Sequence, residues 1–389
     1  MIKKRVSKDD GRYLIYYSSV EEPERSDSEC QGVHVNAEKG SAGLSEMRWN
    51  PILQQWTVIA THRQERTYKP PKDFCPFCPT RDISFPTEVP ASCYEVAVFE
   101  NKFPSFQRVP PEPAEKGTDI LKVKLAHGVC EVVLYPDKHL TTFANLSVQH
   151  ITNLISVWQD RYDELGSVDY IDYVLIFENK GDAVGVTLHH PHGQIYGFPF
   201  IPPIPAKELE SADEYKKATG KCLFCDILKE ELDDGRRVIA GNSGFIAAVP
   251  FCARYPYEVH ITSQSHKSSL TQLDSDERRL LAEILKTVTC GYDHLFGFSF
   301  PYMMIMHQAP TREGDWSHCH FHIEFYPPHR TATKIKYLAG CESGAGTFIN
   351  DTLPEETARQ LRAAIERAKQ AGSISEDCRL VARKGAGGG

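Results

Sequence analysis

Long uncharged apolar runs are missing from this 389-residue chain, and none approaches the roughly 20 residues that a membrane span requires. Runs of lysine and arginine are missing as well, and the net charge is -8, so the chain lacks the basic surface that binds duplex nucleic acid. The first residues include basic side chains but no apolar segment typical of a secretory signal. With 41% hydrophobic and 25% charged residues, the composition predicts a globular cytoplasmic protein that binds neither membrane nor nucleic acid.

The twelve cysteines are too sparse for a small secreted disulfide scaffold. Four of them form two C-x-x-C pairs, Cys75 with Cys78 and Cys222 with Cys225, and the others are scattered. Reduced thiols, some of them bound to metal, are the interpretation that fits this arrangement. A redox dithiol and two unrelated structural thiols stay open as alternatives.

Local composition divides the chain into four parts. Residues 1–45 are polar and rich in glycine, serine and glutamate, which predicts a flexible or loosely docked arm. Residues 46–200 and 221–389 carry the apolar patterns of folded repeats, and residues 201–220 have the proline-rich and then charged composition of a linker. The second repeat includes a predicted terminal helix over 354–371, with a proline at its first position.

The order of features in the first folded part recurs in the second. In each part a C-x-x-C pair is followed by a histidine, an amphipathic helix, a strand and an H-x-H motif. The polar residues that precede the two helices, Ser147 and Asp274, are predicted to cap them. We therefore predict an α+β fold of two tandem repeats, each a mainly antiparallel sheet with packed helices. The histidines of the series are His139, His190 and His192, then His266, His320 and His322.

Each C-x-x-C pair, together with two histidines from its own repeat, matches the ligand chemistry of tetrahedral zinc. The predicted first site consists of Cys75, Cys78, His139 and His190. An equivalent second site consists of Cys222, Cys225, His266 and His320. A competing set for the second metal, with oxygen and nitrogen ligands that suit zinc or iron, consists of Glu208, His307 and His322.

The segment GVTLHHPHGQIYGFP concentrates the polar chemistry of the first repeat. Alternate side chains of an extended segment share one face, so His190, His192 and Gln194 are predicted to point the same way. One imidazole can then bind a metal while the next faces a pocket, where a neutral imidazole is a good nucleophile near neutral pH. Metal binding by both histidines stays open as an alternative, as does a zinc-stabilised nucleotide-binding module without chemistry.

Four parts of the sequence carry a resemblance to a known family. They are WNPILQQWTVIATHRQER, CPFC, FENKGDAVGVTLHHPHGQIYGFPF, and FPYMMIMHQAP with the later HFHIEFYPP. Together they resemble the galactose-1-phosphate uridylyltransferase family of the histidine-triad superfamily, over residues 47–372. The resemblance implies structural metal ions and a ping-pong transfer of UMP from UDP-glucose to galactose 1-phosphate. His192 matches the nucleophile of this family, and Gln194 matches a glutamine that hydrogen-bonds the uridylyl phosphate.

The resemblance assigns further positions to nucleotide binding. Arg63 and Arg66 match an arginine pair near the nucleotide, and the guanidinium fork suits phosphate oxygens. Asn179, Gly185 and Thr187 match the loop around the phosphates and the uridine. Taken alone, the two arginines would look the same at a charged strand end.

Two more positions, Lys336 and Glu342, match a segment that reaches the sugar phosphate in the family. That segment comes from the neighbouring subunit, so the resemblance implies a homodimer with an active site at the interface. Without the resemblance, a solvated lysine would be the favoured interpretation of Lys336.

The chain departs from the family pattern in two places. Several family members have a histidine where this chain has Glu324, so the mixed oxygen and nitrogen site loses a ligand or gains a different one. The second C-x-x-C pair is similar to that of plant ADP-glucose phosphorylase, which has a cysteine and histidine zinc site in each repeat. That activity, or another histidine-triad nucleotidyl transfer or hydrolysis, is the alternative function.

Overall fold

The computed structural model of the chain describes residues 1–20, 44–65, 69–70, 74–82, 84–91 and 93–374. Within these residues the fold consists of one eleven-stranded sheet, one three-stranded sheet and six α-helices. All pairings between neighbouring strands of these sheets are antiparallel. The predicted α+β class with mainly antiparallel sheets is confirmed.

The strands of the large sheet differ in their spatial order from their order along the chain. From one edge to the other they are β1 (Ile2–Ser7), β2 (Tyr13–Ser18), β5 (Val96–Glu100), β7 (Val129–Leu134), β9 (His192–Phe198), β8 (Tyr173–Lys180), β13 (Tyr302–His307), β14 (His322–Tyr326), β12 (Val259–Ser263), β11 (Phe245–Ala248) and β10 (Val238–Gly241). The small sheet consists of β4 (Gln55–Ala60), β3 (Ser45–Asn50) and β6 (Val123–Leu125).

The two halves of the large sheet have the same topology when they are read outward from their junction. The first half follows the order β8, β9, β7, β5 and β2, and the second half follows β13, β14, β12, β11 and β10. Strands β8 and β13 meet at the junction, where Glu178 pairs with Met304. The repeated order of motifs predicts two copies of one unit, and the structure joins the two copies in one continuous sheet.

Helices α1 (Val148–Gly166) and α4 (Ser275–Asp293) occupy the same place in the two repeats and pack on each other. The Ser147 side chain accepts a backbone hydrogen bond from the first turn of α1, and Asp274 forms a reciprocal cap with Glu277 at the start of α4. Both predicted caps are confirmed. The apolar faces of these helices cover one face of the sheet and form the main core.

The remaining helices are α2 (Pro203–Thr219), α3 (Leu223–Asp234), α5 (Gly340–Ala345) and α6 (Pro354–Gln370). The predicted terminal helix is confirmed by α6. Helix α2 fills most of the predicted linker over 201–220, because its prolines suit a first helical turn and the charged residues that follow favour a helix. None of the described helices combines the length and the apolar character needed to cross a membrane.

The prediction of a flexible arm over 1–45 is wrong for residues 1–20. Strands β1 and β2 form an N-terminal hairpin (residues 2–18) at one end of the large sheet. Leu14 and Ile15 have no exposed surface and belong to two different apolar clusters, because successive side chains of a strand point to opposite faces. This short apolar run was obscured by the polar composition around it, and residues 21–43 lie outside the described part of the chain.

Candidate active site and metal centres

His192 is the first residue of β9, near the middle of the large sheet, and its side chain is half-buried. Its Nδ1 lies 2.8 Å from the carbonyl oxygen of His190. When Nδ1 donates its proton to this carbonyl, the lone pair of the neutral imidazole is on Nε2. The ring of Phe77 packs edge-on against the imidazole, with 5.0 Å between centroids. These contacts favour one tautomer and one orientation of the ring, with the lone pair on Nε2.

The first predicted metal site comes together in the fold. The ligand atoms of Cys75, Cys78, His139 and His190 all lie within 4.8 Å of one another. The Cys78 thiol lies 3.4 Å from Nδ1 of His139 and 3.6 Å from Nδ1 of His190. Burial lowers the pKa of His190 to about 4, so this imidazole is neutral near pH 7 and suited to bind a metal. The donor set fits tetrahedral zinc.

The second cysteine and histidine group also comes together, with ligand atoms from Cys222, Cys225, His266 and His320 within 4.8 Å of one another. Cys225 Sγ lies 3.5 Å from Nδ1 of His320 and 3.7 Å from Nδ1 of His266. Burial lowers the pKa of His320 to about 4, as it does for its counterpart in the first repeat. This set fits zinc equally well.

Two residues that the sequence does not identify contact histidines of the candidate metal sites. The Tyr94 hydroxyl lies 2.9 Å from Nε2 of His190, and the Ser263 hydroxyl lies 3.0 Å from Nε2 of His320. Such contacts to the nitrogen that faces away from the metal fix the ring and its tautomer. No motif or spacing rule connects either residue to its histidine, so only the fold reveals them.

The third group consists of Glu208 on α2, His307 at the end of β13 and His322 at the start of β14. Nδ1 of His307 lies 2.8 Å from Glu208, and its Nε2 lies 3.3 Å from Glu324. His322 is 3% exposed, and within the described residues its Nε2 has no hydrogen-bond partner. A buried orphan nitrogen beside carboxylates and a second imidazole fits a zinc or iron ion.

Glu324 adds a second carboxylate to this third group. Burial opposes its ionisation, but the imidazoles of His260, His307 and His322 lower its pKa well below the usual range. The sequence treats the second and third groups as competitors for the second metal, and the structure brings the ligand atoms of both groups together. His320 belongs to the second group and His322 to the third.

The two H-x-H motifs have the same backbone geometry but different surroundings. Nδ1 of His322 lies 2.8 Å from the carbonyl oxygen of His320, as Nδ1 of His192 does from that of His190. His322 is buried in a small cavity that α2 lines, with Glu208 on its wall, whereas His192 is half-buried. The first repeat therefore presents the more accessible second histidine.

Several of the predicted substrate-binding residues surround β9. Gln194 follows His192 on the same face of the strand, and Asn179 lies on the neighbouring strand β8. Gly185 and Thr187 lie in the loop that leads to His192. Gly185 has φ +80°, a conformation that favours glycine, and a Cβ at this position would meet no atom within 4 Å. The backbone at Gly185 is therefore open on this side.

The charged residues of the predicted site differ in their surroundings. Arg63 follows β4, and its guanidinium donates to a backbone carbonyl at 2.9 Å and to the Ser105 hydroxyl at 3.1 Å. Arg66 lies outside the described residues. Lys336 and Glu342 form a buried ion pair of 2.8 Å, so within one chain each neutralises the other.

Known proteins match both repeats. Sequence profiles of the galactose-1-phosphate uridyl transferase N-terminal and C-terminal domains match residues 35–202 and 208–373. The galactose-1-phosphate uridylyltransferase of Thermotoga maritima is 40% identical over 320 residues, which cover 82% of this chain and 98% of that protein. That of Streptomyces lividans is 33% identical over 373 residues, which cover 91% of this chain and 95% of that protein.

Solved structures agree with these matches. A uridylyltransferase structure superposes with a TM-score of 0.74 at 33% identity, covering 83% of this chain and 99% of that chain. An ADP-glucose phosphorylase from Arabidopsis thaliana with bound ADP-glucose has a TM-score of 0.63 at 23% identity, covering 82% and 98%, and this likeness shows the fold alone. The resemblance drawn from the sequence is confirmed, and the chain belongs to the galactose-1-phosphate uridyl transferase family of enzymes.

Proposed function

We propose that the chain transfers UMP from UDP-glucose to galactose 1-phosphate in two steps, through a covalent bond between phosphorus and His192. The observation that carries the proposal is the oriented imidazole, whose Nδ1 lies 2.8 Å from the His190 carbonyl oxygen while the lone pair is on Nε2. The names of the two relatives support the choice of substrates.

In the first step the Nε2 lone pair attacks the α-phosphorus of UDP-glucose. The bond from this phosphorus to the bridging oxygen breaks, and its electron pair leaves with glucose 1-phosphate. Positive charge that develops on the imidazole of His192 is stabilised by its hydrogen bond to the His190 carbonyl. The uridylyl group is then bound to the protein through a phosphorus–nitrogen bond.

In the second step a phosphate oxygen of galactose 1-phosphate attacks the same phosphorus. The phosphorus–nitrogen bond breaks, its electron pair returns to Nε2 of His192, and UDP-galactose leaves. Phosphate oxygens serve as both nucleophile and leaving group, so neither step requires a net proton transfer to the protein. Two displacements at one histidine thus allow one site to serve both sugar phosphates.

Gln194 is placed to assist both displacements. It shares the face of β9 with His192, so its amide can donate to the nonbridging oxygens as charge develops on them. The open backbone at Gly185 admits the phosphates. The residues that we propose around the nucleotide are Arg63, Arg66, Asn179, Gly185 and Thr187.

A second copy of the chain completes the site in this proposal, with its Lys336 and Glu342 near the sugar phosphate. Support comes from the segment around this pair, where Tyr337 is 73% exposed and Leu338 is 53% exposed. Exposed apolar side chains in one segment are typical of a contact surface. Sedimentation analysis is expected to give the mass of a dimer, and a fully active monomer would contradict the proposal.

We further propose three structural metal sites in each chain: zinc in each cysteine and histidine group, and zinc or iron in the group of Glu208, His307 and His322. Each ion, when bound, ties together distant segments and takes no part in the displacements. Elemental analysis is expected to find three ions per chain, and Cys225→Ser is expected to lose one. Two ions in the unchanged chain would contradict this. The reduced thiols that these sites require support the predicted cytoplasmic location.

Intact-protein mass spectrometry tests the proposed function. After addition of UDP-glucose without acceptor, the expected result is a gain of one UMP group, which galactose 1-phosphate then removes. ADP-glucose is expected to give no gain. An AMP-sized gain that galactose 1-phosphate leaves in place would instead indicate the phosphorylase branch of the fold, while a lack of any gain would contradict the covalent mechanism.

A further inference from the structure

The N-terminal hairpin precedes the residues that the family profiles match, since the first match begins at residue 35. It adds two strands to the large sheet beside β5, where Leu14 pairs with Phe99. Its side chains contact the segment that carries Cys75 and Cys78. We name this segment, residues 74–82 and 84–91, the metal loop.

Apolar contacts join the N-terminal hairpin to the metal loop. Leu14 has no exposed surface and belongs to an apolar cluster beside the loop. Tyr16 extends the contact, because its hydroxyl accepts a hydrogen bond of 3.2 Å from the backbone N–H of Ala91. The same cluster contains Cys75, Phe77 and Val89 of the metal loop and Phe99 of β5.

Two cations of the hairpin hold an acidic residue of the loop. Lys8 pairs with the carboxylate of Glu88 and donates to its backbone carbonyl at 3.2 Å, and Arg12 donates to the same carboxylate at 2.9 Å. These three side chains are at most 16% exposed, so solvent screens the pairs weakly. The backbone N–H of Glu88 donates to the carbonyl of Pro76 at 2.9 Å, within the C-P-F-C turn. The hairpin therefore fixes a residue that is bonded directly to the metal-binding turn.

The same turn connects the hairpin with the proposed nucleophile. Phe77 lies within the turn, and its ring packs edge-on against Phe99 at 5.7 Å and against His192 at 5.0 Å between centroids. Phe99 pairs with Leu14 of the hairpin across β2 and β5. A displacement of the hairpin would thus reach both the metal-binding turn and the ring that packs on the imidazole.

The second repeat supports its C-x-x-C pair differently. There Cys222 caps α3, and its carbonyl accepts a helical hydrogen bond of 3.2 Å from Asp226, so a regular helix fixes the turn. The first pair instead spans a short turn within irregular structure, where the backbone N–H of Cys78 donates to the carbonyl of Cys75 at 3.3 Å. Irregular backbone has fewer internal hydrogen bonds than a helix. The backbone of the first pair therefore depends more on contacts with other segments.

We propose that the N-terminal hairpin is a positioning element of the first metal site, which holds the metal loop, slows loss of the ion and keeps Phe77 against His192. The effect on turnover rests on the proposed transfer through His192. The effect on metal retention rests only on the proposed first metal site, so the two can fail separately.

The test compares zinc release from variants of the full chain into a chelating dye. In Lys8→Gln/Arg12→Gln the carboxylate of Glu88 loses both cations, and release from the first site is expected to become about 10-fold faster. Release from the second site is expected to stay unchanged, and Cys225→Ser identifies its phase. Arg5→Gln is the matched control, because Arg5 is on the same hairpin but pairs with α1, and it is expected to release zinc like the unchanged chain.

Steady-state kinetics supply the second readout. The double variant is expected to lower kcat by about 10-fold with KM unchanged, because orientation of the nucleophile is altered and substrate contacts are not. Glu88→Gln, a smaller change, is expected to act in the same direction and serves if the double variant folds poorly. Equal acceleration of zinc release from both sites, or no acceleration, would overturn the proposal. Faster release with unchanged kcat would overturn its second part, which concerns His192.

Discussion

His192→Gly is expected to lower kcat for transfer by about four to six orders of magnitude, because it removes the nucleophile and with it the covalent intermediate. His192 is absent from all three groups of residues that could hold a metal ion, so metal content and the thermal unfolding midpoint are expected to stay close to those of the unchanged chain. A coupled assay for UDP-galactose measures kcat. Intact-mass analysis with UDP-glucose is expected to show no gain of a UMP group.

His189, three residues before His192, supplies the control. His189 is 60% exposed and faces Asp182 at 3.6 Å, so His189→Ala is expected to leave kcat within about twofold of the unchanged chain. If His192→Gly kept full transfer activity, the nucleophile would have to be another residue. If both variants lost activity together with their metal ions, the loss would reflect a damaged loop rather than a missing nucleophile.

The two cysteine and histidine groups could be predicted from the sequence because each is built from short motifs. Each C-x-x-C pair and each H-x-H motif lies within a few residues, and the repeated order of the motifs indicates which histidines join which cysteines. The same local logic identified Ser147 and Asp274 as helix caps. What the sequence could not decide was the relation between the second and third groups, since this depends on which way His320 and His322 face after folding.

The surroundings of the site could not be predicted, because tertiary packing determines them. The composition of the N-terminal hairpin predicts a polar arm. In the fold, Leu14 and Ile15 pack into apolar clusters on opposite faces of the sheet. In the hairpin, long-range contacts override a composition that, read locally, indicates loose structure. Helix α2 differs, because its prolines and charged residues are compatible with a helix, and only the fold shows that its Glu208 contacts His307.

Gly193 lies between His192 and Gln194 on β9, and its lack of a side chain matters on the opposite face of the strand. A Cβ at this position would lie 2.3 Å from the hydroxyl oxygen of Tyr135 and 3.2 Å from a backbone carbonyl oxygen. Tyr135 has no exposed surface, and its hydroxyl donates to Glu178 at 3.2 Å. The tyrosine therefore has little freedom to move aside.

Gly193→Ala is expected to push β9 away from Tyr135 and to displace His192 and Gln194 together. We expect kcat to fall about 100-fold, the typical cost of a misplacement of about 1 Å, and the free energy of unfolding to fall by about 1 to 3 kcal/mol. Gly344→Ala is the matched control for stability, since a Cβ there meets no atom within 4 Å, and it is expected to leave the free energy of unfolding unchanged or slightly raise it. Equal losses in the two variants would contradict the steric explanation.

Tyr135→Phe in the Gly193→Ala background removes the clashing oxygen and leaves a ring carbon at 3.1 Å from the Cβ, so about 10-fold of the lost kcat is expected to return.

Burial raises the pKa of Glu178 to about 7, and loss of the tyrosine donor raises it further. Stability therefore declines as pH rises from the ordinary carboxyl pKa through this range, because ionisation leaves a buried charge. Rescue is expected to be larger at pH 6 than at pH 8. Rescue that is equal at both pH values would mean that Glu178 does not control the fit of this strand, and no rescue at either would mean that the tyrosine hydroxyl is not what excludes the alanine.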